Sequence, residues 1–242
     1  MIGTPRAARI DSGLGRVAGD QLLTAGVYAL AEAARLTGVP IANIRRWTSG
    51  YFFVRNGQRR WSPPLVPPQL DRVEGVPALS FLDLQELRLL HLFRSRGASW
   101  QTLRVAHDRA KALIGHHHPF STGRFKSVGR EILTEVALSE SDRALENIVS
   151  RQLVFHKSIA PYLRGLEFND DIVIRWYPRR DRRVVIDPTQ SFGQPVVREG
   201  VPTRILARSF RTERSIERVA RWYDVDSSSV RAAVEFERRL AA

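Results

Sequence analysis

The sequence contains no cysteine and no long hydrophobic run. The first absence excludes disulfide frameworks, thiolate zinc sites and cysteine nucleophiles, so the fold must rest on apolar cores. No stretch reaches the roughly 18 consecutive apolar residues that a membrane span needs. Residues 1–20 mix Gly, Arg and Ala and lack the apolar stretch of a signal peptide. We therefore expect a cytoplasmic protein with no membrane contact.

Acidic residues are scarce relative to basic ones. The 242-residue chain has 25 Asp and Glu against 38 Lys and Arg, which gives a formal net charge of +13 at pH 7. Such a charge attracts phosphates, but it would also suit an anionic membrane surface or an acidic protein partner. The position of the charge along the chain must decide between these partners.

Motifs for catalysis, metal binding and cofactors are missing as well. The sequence has no glycine-rich phosphate loop and no serine nucleophile elbow. The run from His116 to His118 cannot direct three neighbouring rings at one ion, and no carboxylate lies at a helical spacing from it. Glu167, Asp170 and Asp171 fit a solvated turn before a strand better than an acid–base pair. We expect no enzymatic activity, no catalytic residue, no cofactor and no metal.

The patterns that are present predict a mainly α-helical protein with small β-hairpins, an α+β fold. Residues 1–21 carry four glycines between polar residues and are expected to form a flexible arm. We expect a winged helix-turn-helix with a second helical pair over 22–136 and a connecting helix and hairpin over 137–183. A three-helix module resembling a helix-turn-helix is expected over 184–242.

Two short helices and a hairpin are predicted near the N-terminus. Helical spacing runs from residue 28 to residue 48 and is broken at Gly38-Val39-Pro40, so the second helix begins at Ile41. The pair Asn56-Gly57 then separates two aromatic-flanked strands, as is typical of a β-hairpin. A proline-rich segment, 62–68, ends this part of the chain.

The middle of the chain gives a mixture of strong and weak patterns. Ser80 and Asp83 resemble a capping box that opens a helix ending at Gly97, and residues 99–114 repeat the design. Small hairpins are predicted over 119–136, where Gly123 and Gly129 interrupt the apolar residues, and from 172–176 with 184–186. Residues 142–164 have roughly helical spacing. Three short helices are predicted over 203–210, 215–223 and 227–240.

The first helix pair and the hairpin carry the main functional hypothesis. A helix-turn-helix needs a small residue at the helix crossing and a turn residue that tolerates positive φ, which Ala34 and Gly38 supply. Arginines on the exposed face can bond guanine edges or clamp phosphates, and those of a wing usually contact the backbone. The candidate DNA-binding residues are Ile41, Ala42, Asn43, Arg45 and Arg46 of the second helix and Arg55, Arg59 and Arg60 of the hairpin. An ordinary helical hairpin with solvated arginines is the alternative, which the adjacent basic hairpin disfavours.

A second helix-turn-helix frame is present near the C-terminus. Val219, Ala220, Tyr223, Asp224, Val225, Val230 and Ala233 match its apolar, small and turn positions. Its exposed residues, Asp226, Ser227, Ser228 and Arg231, are less basic than those of the first frame. Helix packing or dimerisation is therefore at least as good an interpretation as base readout.

The first quarter of the chain resembles a known regulator family. The segments Tyr28 to Ala34, Gly38 to Pro40 and Ile44 to Trp47, with the hairpin, look like the N-terminal winged helix of MerR-type regulators. The resemblance implies duplex DNA binding as a dimer through helix and wing. The chain lacks the long coiled-coil helix that typically dimerises those regulators, so another dimer surface is expected.

The C-terminal part is similar to an uncharacterised domain of VapB-like antitoxins, which are partners of PIN-domain ribonuclease toxins. The resemblance lies in residues 186–188, 192–197, 200–203 and 215–220, and the whole chain looks like a mycobacterial VapB antitoxin. It implies a homodimer that binds its own promoter, represses its operon and neutralises a PIN-domain toxin. Charge complementarity to an acidic nuclease site makes Arg179, Arg180, Arg182, Arg183, Arg238 and Arg239 candidate toxin-binding residues.

Two other functional classes stay open from the sequence. The first is a stand-alone MerR-like transcriptional regulator whose middle domain senses a small ligand or a partner. The second is a structural or adaptor protein whose arginines bind no nucleic acid. Co-purification with a partner distinguishes the first from an antitoxin, and salt-dependent DNA binding argues against the second.

Overall fold

The computed structural model describes residues 24–72, 75–143, 162–163 and 165–241. Its helices and small antiparallel sheets form an α+β fold, as the sequence predicts. The predicted arm over residues 1–21 and most of the helix predicted over 142–164 lie outside the described residues. Among the helices of the described ranges, none is both long and apolar enough to cross a membrane.

The N-terminal part consists of a short strand, a helix pair and a hairpin. β1 (Tyr28–Ala29) leads into α1 (Leu30–Thr37), and α2 (Ile41–Ser49) follows after a short turn. Gly38 ends α1 in the left-handed conformation (φ 75°), and its N–H donates to the Ala34 carbonyl. β2 (Tyr51–Arg55) and β3 (Gln58–Ser62) form a hairpin whose turn, Asn56-Gly57, has positive φ at both residues. The predicted helices and hairpin are confirmed.

Two capped helices follow the proline-rich segment. β4 (Ala78–Leu79) pairs with β1 and precedes α3 (Phe81–Ser95), and α4 (Trp100–Ile114) comes next. The predicted capping box is present. The Asp83 N–H donates to Ser80 Oγ at 3.1 Å, and the Ser80 N–H donates to Asp83 Oδ2 at 2.8 Å. The Ser99 hydroxyl caps α4 in the same way by accepting the Thr102 N–H.

The segment after α4 is a helix and not the hairpin that the sequence predicts. A 3₁₀ turn (Pro119–Ser121) leads into α5 (Gly123–Ser139). Phe125, Ile132, Leu133 and Val136 are buried at helical spacing rather than in alternation. The hairpin prediction over 119–136 is wrong because its glycines do not mark turns. Gly129 lies inside α5, where a Cβ atom would approach the Phe125 ring to 2.8 Å.

A four-stranded antiparallel sheet follows, with its strands in sequence order. The strands are β5 (Leu166–Asn169), β6 (Ile172–Trp176), β7 (Val184–Ile186) and β8 (Pro195–Val197). Trp176 pairs with Ile186, which confirms the hairpin predicted there. β5 and β8, which the sequence patterns do not reveal, extend that hairpin on both sides. The domain boundary predicted between residues 183 and 184 lies between β6 and β7 of this one sheet. The division of the chain into domains stays a prediction.

Three helices close the chain, as predicted. α6 (Thr203–Glu213) and α7 (Ile216–Tyr223) precede α8 (Ser227–Ala241), and Asp224 ends α7 in the left-handed conformation (φ 51°). A small core joins these helices to β8. It consists of the buried residues Val197, Leu206, Val219, Ala220, Val225, Val230 and Ala233.

A larger core connects the two ends of the chain. It includes Tyr28 before α1, Phe93 of α3, Phe125 of α5 and Phe236 of α8. The Tyr28 hydroxyl donates to the Gly193 carbonyl at 2.8 Å. Arg35 of α1 pairs with Glu237 of α8 at 3.1 Å. The first helix therefore packs against the last one.

Candidate nucleic-acid interface

One face of α2 is exposed and carries the predicted DNA-binding residues of this helix. Ile44, Trp47 and Thr48 are buried, so the helical period turns the opposite face to solvent. Two guanidinium groups, those of Arg45 and Arg46, lie on this exposed face. Ile41 and Ala42 are exposed with them, and Asn43 is half-buried. The assignment of these residues to DNA binding stays a prediction.

The hairpin is held rigidly next to α2. Gly50 joins the two elements with φ 72° and ψ 175°, a conformation that other residues rarely adopt. A Cβ atom at this position would lie 2.5 Å from the Trp61 ring and 2.7 Å from the Ser62 carbonyl oxygen. The Arg104 guanidinium of α4 donates to Ser62 Oγ at 3.2 Å and to the Pro63 carbonyl at 2.8 Å. These contacts fix the angle between the hairpin and α2.

The strand register divides the three arginines of the hairpin between its two faces. Arg60 pairs with Phe53, and Arg55 pairs with Gln58 on the same face of the ribbon. Arg59 pairs with Val54 on the opposite face. The Arg46 guanidinium lies 5.5 Å from the Tyr51 ring, so the face with Arg55 and Arg60 is the one that α2 approaches. Strand alternation therefore separates the three arginines, which the charge pattern of the sequence presents as one set.

Negative charge is absent from this part of the chain. Residues 33–70 contain six arginines and no Asp or Glu. Arg35 pairs with Glu237 of the last helix. The other five, Arg45, Arg46, Arg55, Arg59 and Arg60, form no ion pair within the described ranges. Five unneutralised cations on two adjacent, exposed elements make a site for a polyanion.

The candidate toxin-binding arginines meet at a second surface, but several are already engaged. The loop 178–183 lies against α8, where Arg179 pairs with Glu235 at 3.0 Å and with Asp181 at 2.8 Å. Arg239 of α8 approaches the Pro178 carbonyl at 3.4 Å. Arg183 donates to Ser228 at 2.6 Å, and the Arg182 guanidinium lies 4.8 Å from the Tyr177 ring. Arg180 and Arg238 are exposed, with no hydrogen bond or ion pair in the described residues.

The start of α8, the exposed end of the second predicted frame, is less suited to phosphates. The Glu199 carboxylate accepts the Asp226 N–H at 3.1 Å and the Ser229 hydroxyl at 2.9 Å. Arg231 approaches Glu217 at 3.5 Å. A carboxylate at a helix N-terminus occupies the position that a phosphate would take. This arrangement favours helix packing over base readout for the second frame.

A buried polar network that no sequence pattern predicts lies at the start of α3. Asp83 is fully buried, and its Oδ1 lies 2.7 Å from His118 Nε2. Burial lowers the pKa of His118, but the hydrogen bond and charge of Asp83 outweigh it and hold that pKa above its usual value. His118 thus has a structural partner, while His117 beside it is exposed. Nothing in the local sequence pairs these residues, because 35 positions separate them.

Comparisons with known proteins give a curated relative and a similar solved structure. No family model matches the chain. The chain is 29% identical over 241 residues to a Mycobacterium tuberculosis (strain ATCC 25618 / H37Rv) protein named "Putative antitoxin VapB45", covering 90% of this chain and 98% of that protein. The X-ray crystal structure of Rv2018 from Mycobacterium tuberculosis superposes with a TM-score of 0.68 at 27% identity, covering 86% of this chain and 96% of that one. The similarity to the curated protein supports an antitoxin role. The resemblance to VapB antitoxins inferred from the sequence is confirmed, and the chain is a homologue of a protein that carries this name.

Proposed function

We propose that this chain is an antitoxin that binds the duplex DNA of its own promoter and represses its operon, and that it neutralises a PIN-domain ribonuclease toxin. The observation that carries the DNA-binding part is the acid-free surface of α2 and the hairpin with its five unpaired arginines. The similarity to the mycobacterial protein supports the antitoxin part. This proposal gives the protein a regulatory role and no catalytic one.

The geometry of α2 and the hairpin suits a winged helix on duplex DNA. A helix with its side chains is about 10–12 Å wide and enters a major groove of about 12 Å. Arg45 and Arg46 lie on the exposed face that would enter the groove. Arg55 and Arg60, on the hairpin face next to α2, would then reach the flanking phosphates. We propose a homodimer, since two copies would read two half-sites about 34–36 Å apart.

Replacing Arg55 and Arg60 together with alanine is expected to weaken duplex binding for all sequences alike. Each lost phosphate contact reduces the slope of log K against log[salt] by about one unit, because fewer counterions are released. Arg59→Ala should reduce the slope less, since Arg59 lies on the other face. The measurement is a salt titration of promoter and unrelated duplexes by fluorescence anisotropy. Arg221→Ala on α7 is the matched control, and an unchanged slope in the double variant would contradict the wing assignment.

The toxin-binding part is tested by co-expression with the product of the neighbouring gene. A stable complex in gel filtration, with its mass determined, is the expected result. Arg180→Glu with Arg238→Glu should weaken the complex by at least about tenfold, because both side chains are exposed and free to meet carboxylates. Arg221→Glu, at an exposed arginine on α7, should leave it intact. Full binding by the double variant would remove this surface from the proposal.

One cavity favours the second candidate function, a stand-alone regulator that senses a small ligand. It has a volume of about 530 Å³, within the range of small-molecule sites, and it lies between α3, strand β6 and the segment that follows β7. Its lining includes Leu70, Phe81, Val173, Arg175 and Asp187. Promoter binding by a chain that forms no complex with the neighbouring gene product would favour this function over the antitoxin.

A further inference from the structure

The hairpin face opposite Tyr51 exposes an unusual amount of apolar surface. Phe52, Val54 and Trp61 lie side by side on this face and are 56%, 72% and 49% exposed. Both strands belong to a two-stranded sheet, so no third strand of the described ranges pairs with them. Contiguous exposed aromatic surface of this kind marks a binding site more often than a solvated surface.

The aromatic rings and one arginine form a small cluster on this face. The ring centroids of Phe52 and Trp61 are 4.8 Å apart, with 56° between the ring planes. The Arg59 guanidinium lies 4.0 Å from the Phe52 ring centroid, within the range of a cation–π contact. We call Phe52, Arg59 and Trp61 the aromatic cluster. It offers the exposed Trp61 ring and, beside it, a flat guanidinium that covers one face of the Phe52 ring.

The charge around the aromatic cluster indicates which kind of partner would bind this face. A second copy of this chain would bring five more unpaired arginines to a surface that has no carboxylate between residues 33 and 70. An anionic lipid layer would satisfy the charge, but its acyl chains offer no flat face on which the Trp61 ring and the Arg59 guanidinium could stack. A duplex keeps its bases stacked inside and offers the rings only sugar and phosphate. Unpaired nucleotides combine phosphates with flat faces that accept both aromatic rings and guanidinium groups.

We propose that the aromatic cluster binds unpaired bases of single-stranded nucleic acid. One base stacks on Trp61, and a neighbouring base stacks on the flat Arg59 guanidinium, which the Phe52 ring holds in place. Arg55 and Arg60, on the other face of the same ribbon, attract the strand electrostatically. The aromatic cluster lies on the hairpin face opposite Tyr51, so variants of this cluster and variants of α2 can be tested separately.

The test compares labelled oligonucleotides that differ only in their bases. An oligothymidylate of about ten nucleotides and an abasic deoxyribose-phosphate chain of equal length are titrated with the full chain by fluorescence anisotropy. We expect the oligothymidylate to bind at least about fivefold more tightly, since stacking contributes that much per base. Equal affinities would show that charge alone attracts the strand and would overturn the proposal.

Two variants and one control locate the binding. Phe52→Ala should reduce the preference for oligothymidylate over the abasic chain by at least about fivefold, whereas Trp61→Phe keeps a π-face and should retain most of it. Trp222 is a second exposed tryptophan, on α7, and Trp222→Ala should change nothing. Thermal unfolding checks that each variant is folded. An unchanged preference in folded Phe52→Ala would overturn the proposal.

Two further experiments distinguish this proposal from duplex binding through α2 and from binding to a membrane surface. Arg45→Ala should weaken binding of the promoter duplex and leave the preference for oligothymidylate intact, so either site can fail without the other. Vesicles with phosphatidylglycerol test the lipid alternative. Binding to those vesicles that Phe52→Ala abolishes, with no preference for oligothymidylate, would assign the cluster to a membrane surface and overturn the proposal.

Discussion

Replacing Asp83 with alanine is expected to lower the free energy of unfolding by about 3 to 5 kcal/mol. The carboxylate is fully buried and accepts the N–H groups of Ser80 at 2.8 Å and Gln69 at 3.2 Å, as well as the His118 ring at 2.7 Å. Its removal ends the cap of α3 and leaves His118 buried without its charge partner. The measurement is urea unfolding followed by circular dichroism. A loss below about 1 kcal/mol would mean that the cap and the ion pair contribute little.

The pH dependence of stability distinguishes the ion pair from the cap. The folded-state pKa of His118 is raised above its unfolded value of about 6.5, so the contribution of the protonated ring is complete below that pH. This contribution is lost as the pH rises through the raised pKa. The stability difference between the wild type and His118→Gln should therefore narrow as the pH rises from about 6.5 through the raised pKa. A constant difference over this range would assign the loss to packing instead.

Arg45→Ala and Arg46→Ala are each expected to weaken binding to the promoter duplex by about 1 to 3 kcal/mol, or roughly 5- to 150-fold. Both guanidinium groups are exposed on α2 without a carboxylate partner in the described residues, so binding costs no broken ion pair. The measurement is fluorescence anisotropy with the promoter duplex and with a scrambled duplex of equal length. The promoter should lose most of its advantage over the scrambled sequence.

Other arginine variants serve as controls for the effects expected at Arg45 and Arg46. Arg35→Ala removes an arginine that pairs with Glu237, so it should reduce stability without changing the preference for the promoter. The wing variants should reduce affinity for both duplexes by the same factor. Equal, small effects at Arg45, Arg46 and the three wing positions would contradict the division between a reading helix and a positioning wing.

The sequence predicts those parts of the fold whose signals are local. The Asn56-Gly57 turn, the Ser80 and Asp83 capping box and the Gly38 helix end depend on neighbouring residues, and all of them are present. The same reasoning fails over residues 119–136, because Gly129 serves close packing inside a helix and not a turn. A glycine in a pattern does not reveal which of these two roles it has.

The candidate sites, too, are predictable from the sequence only where the signal is local. Exposure of Arg45 and Arg46 follows from the helical period and is predictable from the sequence. The ion pair between Arg179 and Glu235 joins a loop to a helix that follows 56 positions later, so it needs the tertiary structure. The ion pair of Asp83 and His118 needs the tertiary structure for the same reason. Charge counts alone would treat all these arginines as equally available.

The contacts of Tyr28 with Gly193 and of Arg35 with Glu237 affect how the chain folds during translation and how it responds to proteolysis. The helix pair next to β1 is synthesised before α8, yet α1 packs against α8. During translation the core around α1 is therefore incomplete until α8 has been made. A protease that cuts in α8 would likewise loosen the N-terminal helices. We expect a single cut in α8 to abolish the proposed DNA binding and the proposed toxin binding together. One proteolytic event would then inactivate both functions of the protein.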